Sequence, residues 1–333
     1  MTTQAKIQVT SSELGTLWMT YQFKSAKIIL YDLFANKTID QEAKNILTSY
    51  TTDARKVKDQ ITTIFNNEKA VIPIGFDMKD IILDVPTLFD DIFHIMFLRQ
   101  MMKLNIGHSA VYSAMSYMKE VHDVFKLNYE IADKYYVIAT NYLLGKGLLA
   151  KPPYITMPKQ AEFIEDKNYM SGFNIFSDKR PLNAIEVGYI NEAIEDNVFG
   201  VQLMTGFAQV ATDSEVKKYF VEGKELAKKI IMQLSSVLLQ GDIQPSSICA
   251  GKATDATKSP FSDKLMMYLT NLISSSSLGY SALGTSFSMR SDLQTKLGFI
   301  AKDTFEYSKK GGKIMIKNKW MEEPPQMEDR NQH

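Results

Sequence analysis

The sequence predicts an all-α protein built from two copies of one four-helix unit. Three features point that way. Segments of the first half recur in the second at a nearly constant offset of about 172 residues, far beyond the roughly 20–50-residue period of a solenoid, so a whole domain is duplicated. Apolar residues recur at helical spacing along four long segments of each copy. The segments between them collect Pro and Gly, which punctuate helices.

The duplication reads block by block. Asp40-Gln41-Glu42-Ala43-Lys44 is matched by Asp213-Ser214-Glu215-Val216-Lys217, and Phe89-Asp90-Asp91 by Phe261-Ser262-Asp263. Gly107-His108-Ser109-Ala110 is matched by Gly279-Tyr280-Ser281-Ala282, and Pro152-Pro153 by Pro324-Pro325. Little was inserted or deleted between the copies.

The first helix shows an apolar face through Leu14, Leu17, Trp18, Tyr21, Ile28 and Leu33, and Thr10-Ser11-Ser12-Glu13 reads as a capping box at its start. In the second, Ala43, Leu47, Tyr50, Ala54, Val57, Ile61 and Ile64 alternate four and three residues apart, and Val216, Phe220, Gly223, Ala227, Ile230, Leu234 and Val237 repeat the pattern. Such a narrow stripe packs by knobs into holes. The third helix, expected over 88–117, is apolar nearly all round at its start (Ile92, Phe93, Ile95, Met96, Phe97, Leu98), the mark of the most buried helix. The fourth, over 120–144, ends in glycines with Pro152-Pro153 beyond. Gly311-Gly312, in the last helix of the second copy, reads as a helix break.

Connections set the topology. A short turn, Ala35 to Ile39, joins helices one and two, whereas 68–87 and, in the second copy, 241–260 separate helices two and three. Antiparallel neighbours need only a short turn, and a parallel neighbour needs a chain that runs back along the bundle. One long middle crossover is the ferritin-like arrangement, so the expected architecture is two tandem ferritin-like four-helix bundles. The expected division is 1–153 for the first bundle, 154–181 for a link, 182–325 for the second bundle and 326–333 for a polar tail. The link carries Tyr154, Phe163, Tyr169, Phe173 and Phe176, aromatic enough to predict that it packs along the bundles.

Composition narrows the function classes. A chain of 333 residues that is 45% apolar suits two cores. Lys plus Arg and Asp plus Glu balance at 38 each, which gives no long-range pull toward nucleic acid or anionic lipid. Met1 to Val9 lacks a basic start followed by an apolar run, so no signal peptide is expected. The greasiest run, Ile92 to Leu98, stops at Arg99, far short of the roughly 20 residues that span a bilayer. The single cysteine, Cys249, fits a reducing compartment, and the cytoplasm is the expected location. Eighteen methionines suit a plastic helical core or an adaptable binding groove.

No constellation stands out as chemically competent. A ferritin-type dinuclear centre needs inward carboxylates and two Glu-x-x-His pairs, and the sequence has no Glu-x-x-His. The nearest approach is Asp91-Ile92-Phe93-His94, whose copy reads Asp263-Lys264-Leu265-Met266. Asp91 and His94 are therefore the only candidate metal ligands, and neither a metal nor another cofactor is predicted. His94, His108 and His122 lie fourteen apart, about 21 Å along a helix between neighbours, which no ion bridges; they read as residues filling partly polar slots. Cys249 lies in a predicted loop with no histidine nearby in sequence and reads as an incidental thiol. Ser274 to Ser277 lead into Gly279, Ser281, Ala282 and Gly284 on the buried third helix; close helix packing is the favoured reading and a ligand cavity the alternative.

Four blocks carry a resemblance: Ser12-Glu13-Leu14-Gly15-Thr16-Leu17-Trp18, Arg180-Pro181-Leu182-Asn183-Ala184-Ile185-Glu186, Pro260-Phe261-Ser262-Asp263-Lys264-Leu265-Met266-Met267, and the run from Met315 to Pro325. Over essentially its whole length the chain resembles the duplicated family catalogued as domain of unknown function number 3231, common in Bacillus-type spore formers. The resemblance implies a ferritin-like helical fold, no assigned activity and no functional residues to carry over; the family's distribution implies an association with stress or sporulation. The first copy ends Lys146-Gly147-Leu148-Leu149 where the second has Asn318-Lys319-Trp320-Met321, so the halves need not share one job. The expected function is that of a non-catalytic structural or interaction protein, with a protein partner or self-association. The alternatives are a metal-binding ferritin-like oxidoreductase and a carrier of an apolar small ligand.

Overall fold

The computed structural model describes residues 8–172 and 179–330. Among them the first copy forms α1 (Ser11–Lys37), α2 (Gln41–Asn67), α3 (Asp91–Ala114) and α4 (Lys119–Gly145). The second forms α5 (Ala184–Val210), α6 (Ser214–Leu239), α7 (Asp263–Phe287) and α8 (Ser291–Lys317). The heptad stripe of α2 is buried throughout, from Ala43 to Ile64. The capping box at α1 is present, with Thr10 and Glu13 satisfying each other's amides.

Buried carboxylates reveal the helix directions. Glu13 at the start of α1 accepts the backbone N–H groups of Tyr117 and Met118, 2.8 and 2.6 Å away, at the start of α4. Asp91 at the start of α3 accepts those of Ile39 and Asp40, 2.9 and 2.8 Å away, at the start of α2. Helices α2 and α3 therefore begin at the same end, and the intervening chain returns along the bundle. The second copy repeats both devices: Glu186 accepts from Met289 and Arg290, and Asp263 from Thr212 and Asp213.

Two expectations change. Helix α8 runs unbroken through Gly311-Gly312, because Gly311 makes room for a neighbour: a Cβ there would stand 2.3 Å from the Tyr219 hydroxyl oxygen. The link between the copies does not pack along the bundles over its first part. Tyr154 is 84% and Phe163 95% exposed. Phe173 and Phe176 lie outside the described residues. The end of the link is anchored, with Arg180 pairing with Glu186 at 2.7 Å.

The copies meet through their crossovers in a two-fold pattern. Ile81 bridges Phe261, and its counterpart Ala253 bridges Phe89, the counterpart of Phe261. Ser262 N–H donates to the Asp80 carbonyl and Asp90 N–H to that of Lys252, again an exchange of counterparts. Phe34 meets Phe261 edge-on at 6.4 Å, and Phe207 meets Phe89 at 6.1 Å. This reciprocity is that of an isologous dimer interface, here within one chain. One contiguous core runs through both copies, and a smaller one around Ile190, Ile230 and Leu297 fills the far end of the second bundle.

Candidate functional site

A two-fold contact has two equivalent seams. One lies between α3 and α5, the other between α1 and α7. In this chain they are filled differently.

The α3–α5 seam is an ionic lock. Arg99 pairs with Glu195 and also donates to the Thr140 hydroxyl at 3.2 Å. Lys103 pairs with Glu192 and, at 2.6 Å, with Asp196. Arg99 and Glu195 are 7% and 6% exposed. Burial works against the Lys103 charge, but Asp196 and Glu192 outweigh it and raise the lysine's pKa.

The counterparts of these five residues are Asn271, Ser275, Met19, Gln22 and Phe23. All five line a cavity of about 300 Å³ at the α1–α7 seam. Large paired ions on one side are replaced by short or uncharged side chains on the other, and the space they would fill stays open. Trp18, Phe76, Tyr268, Leu272 and Trp320 supply apolar wall. The Trp18 indole N–H is buried without a hydrogen-bond partner, on a residue only 8% exposed. Asn105 and Asn128 form a polar wall, linked amide to amide at 3.0 and 3.1 Å. Half-buried Tyr268 has its pKa raised by loss of solvent, so its hydroxyl stays protonated.

The strap 320–324 closes this cavity from the end of the second copy. Its Glu322 carboxylate accepts the backbone N–H groups of Ile74 and Gly75 at 2.8 and 2.6 Å. Gly75 takes φ +66°, and a Cβ there would meet the Ser25 hydroxyl oxygen at 2.5 Å, so only glycine fits. Leu148-Leu149 stand where Trp320-Met321 provide the strap, which is the divergence the two copy ends display in sequence.

The residues singled out in sequence fall elsewhere. Asp91 spends one carboxylate oxygen on the α2 start, as above. His94 is fully buried, stacked on Phe34 at 4.1 Å, with Nδ1 2.8 Å from the Thr38 hydroxyl and 3.9 Å from Asp91. Burial lowers its pKa to about 3. Among the described residues, no group of three or more His, Cys, Asp or Glu side chains is placed to hold one metal ion. His108 lines the cavity, His122 is exposed, and Cys249 is an exposed free thiol. The small residues of α7 open space rather than bring backbones together. Ser275 lines the large cavity, and Ser274 and Ser277 line one of about 80 Å³ within the second bundle. Even at Gly284 a Cβ would sit 3.5 Å from Tyr189, in ordinary van der Waals contact.

Sequence reasoning missed Trp18, Met19, Phe23 and Trp320 as cavity residues. The signal was the pairwise mismatch of the copies: five charged positions in one seam, and no charge at their five counterparts in the other. Among the described residues, no helix is long and apolar enough to cross a membrane.

Comparison with known proteins gives little beyond the family. A crystal structure of a Bacillus halodurans protein, provisionally described as a spore coat protein, is similar at 16% identity and a TM-score of 0.42, covering 45% of this chain and 98% of that one. No curated protein matches the chain significantly. The family model described as protein of unknown function, DUF3231, matches residues 1–161 and again residues 170–332, and the chain therefore belongs to that family with its domain carried twice.

Proposed function

We propose that this chain is a cytoplasmic binding protein for a small, largely apolar molecule that carries a hydrogen-bond acceptor, held in the α1–α7 cavity. The observation that carries the reading is the broken symmetry: the same fold fills one seam with ions and leaves about 300 Å³ open in the other. That volume is at the lower end of small-molecule pockets, which are mostly apolar with a few placed polar groups. The unpartnered Trp18 N–H is a donor without an acceptor, which a bound carbonyl, ether or ring nitrogen would satisfy. The walls hold mostly aromatic rings and amides, and the charged groups that reach them are engaged with backbone, Lys264 with the Gly75 carbonyl and Glu322 with the Ile74 and Gly75 amides, which favours binding over conversion.

Both tryptophans of the chain line the cavity, so intrinsic fluorescence reports its occupancy directly. Titration with the neutral dye N-phenylnaphthylamine should give tryptophan-to-dye energy transfer that saturates at one dye per chain. Ser275→Phe fills the cavity and should weaken that binding by about tenfold or more, or 1.4 kcal/mol. A folded Ser275→Phe protein that binds the dye as tightly as the parent would reject the assignment.

A further inference from the structure

The interior of the first bundle holds two lysines that the fold does not require. Lys24 and Lys27 stand three residues apart on α1, and both are fully buried. Neither Nζ has a hydrogen-bond partner. Each lies 5.9 Å from the centre of the Tyr50 ring, and Lys27 also sits 3.7 Å over Phe23. The Tyr50 hydroxyl is buried and unpartnered as well. Three hydrogen-bond donors thus collect in one interior with nothing to receive them.

Among the described residues, no carboxylate pairs with either ammonium. On α1 itself stands Tyr31, whose hydroxyl donates to the Phe97 carbonyl. From α4, Tyr135 donates to Asp53 of α2, a carboxylate already tied to Lys56 and Lys134. From α3, burial and the nearby Lys27 charge lower the pKa of His108 and favour its neutral form. The charge that acts on Lys27 is that of Lys24, another cation. A buried, unpaired charge costs several kcal/mol, and an apolar side chain of the same size would serve packing better. The second bundle carries neither lysine. Its counterpart positions are Asn197, Gly200 and Gly223, and all three line the cavity of about 80 Å³, so the fold stands without either lysine.

We propose that Lys24, Lys27 and the Tyr50 hydroxyl form a binding site for one small monovalent anion, a halide or a carboxylate. Side chains on a helix lean toward its N-terminus, and Lys27 leans back over Phe23, a ring that also lines the α1–α7 cavity. The anion is therefore either free in solution or the carboxylate head of a molecule seated in that cavity. The first case stands independently of the proposed function; the second rests on it. Anion binding is coupled to protonation. Without an anion, burial lowers the Lys24 pKa to about 7, and burial together with the Lys24 charge lowers that of Lys27 well below its ordinary value, so closing the site at neutral pH takes up protons.

The test is calorimetric titration of the full-length protein with sodium bromide and, separately, with sodium decanoate, together with bromide anomalous scattering from crystals. Bromide should appear beside both Nζ atoms, and its affinity should fall by about tenfold or more from pH 6 to pH 8 as Lys24 loses its proton. Lys24→Met and Lys27→Met, which should fold at least as stably as the parent, should each weaken bromide by about 30-fold or more. Tyr50→Phe keeps both cations and should weaken it less. If decanoate alone binds, and is lost in both lysine variants and in Ser275→Phe, the carboxylate of a cavity ligand is the occupant. If neither anion responds to the lysine variants, the site does not exist. Dye binding by the parent protein is unaffected by that failure, so the two proposals fall separately.

Discussion

Glu13 and Glu186 show how single buried residues hold each bundle's start. Glu13 accepts from the Thr10 amide and hydroxyl at 2.9 and 2.7 Å, besides the two amides of the α3–α4 turn. Burial pushes its pKa up, yet these donors prevail and hold it below the usual carboxylate range. His94 is displaced further, to about 3 against an ordinary value of 6.5, by burial. For both groups the unfolded chain takes up a proton first as pH falls. Stability is therefore present above the unfolded pKa and lost as pH drops toward the folded one. Between pH 6.5 and 5 the His94 share dominates, at up to about 1.4 kcal/mol per pH unit. Urea unfolding across this range should show that slope, and His94→Gln, whose amide can keep the Thr38 contact, should flatten it. An unchanged slope would mean that His94 takes up its proton alike in the folded and unfolded chain.

At the scale of elements, the α3–α5 lock joins the two copies through largely buried ion pairs. Arg99→Met removes the direct partner of buried Glu195, leaves it only the Lys103 charge and should cost about 3 kcal/mol, whereas Arg99→Met with Glu195→Leu should recover most of the loss. A double-mutant cycle by chemical denaturation measures both. The helices themselves were legible in the chain: the Ala43–Ile64 and Val216–Val237 stripes are buried where the heptads place them, and Asp91 and Asp263 recur because both copies need that amide acceptor. The long crossover was legible too, from its length and prolines. The cavity was not. Periodicity identifies the buried face of α1 or α7 but not the helix that faces it, and Trp18 lies about 250 residues from Tyr268, a separation that local patterns do not bridge. Gly311 misled for a similar reason, since a glycine that admits the Tyr219 ring looks like one that breaks a helix.

For the whole molecule, the reciprocal bridges at Ile81–Phe261 and Phe89–Ala253 make the chain a dimer joined by a tether. The tether is exposed around Phe163, and the halves share one core, so covalent continuity should be dispensable. Cleavage in the exposed part of the link should give two fragments that co-elute as one species on size exclusion and separate only in denaturant. Fragments that part under native conditions would show that the shared core is too weak to hold alone.

Fusion of the halves also releases them from symmetry. In a dimer of identical domains, every substitution appears twice, so a pocket at one seam is a pocket at both, and filling one can influence the other. Here one seam is stiffened by ions and the other is left to open, without either constraining the other. A ligand seated at the α1–α7 seam then finds one place per chain, saturates along a simple hyperbola, and meets a wall braced from behind by a seam that does not exchange its contents.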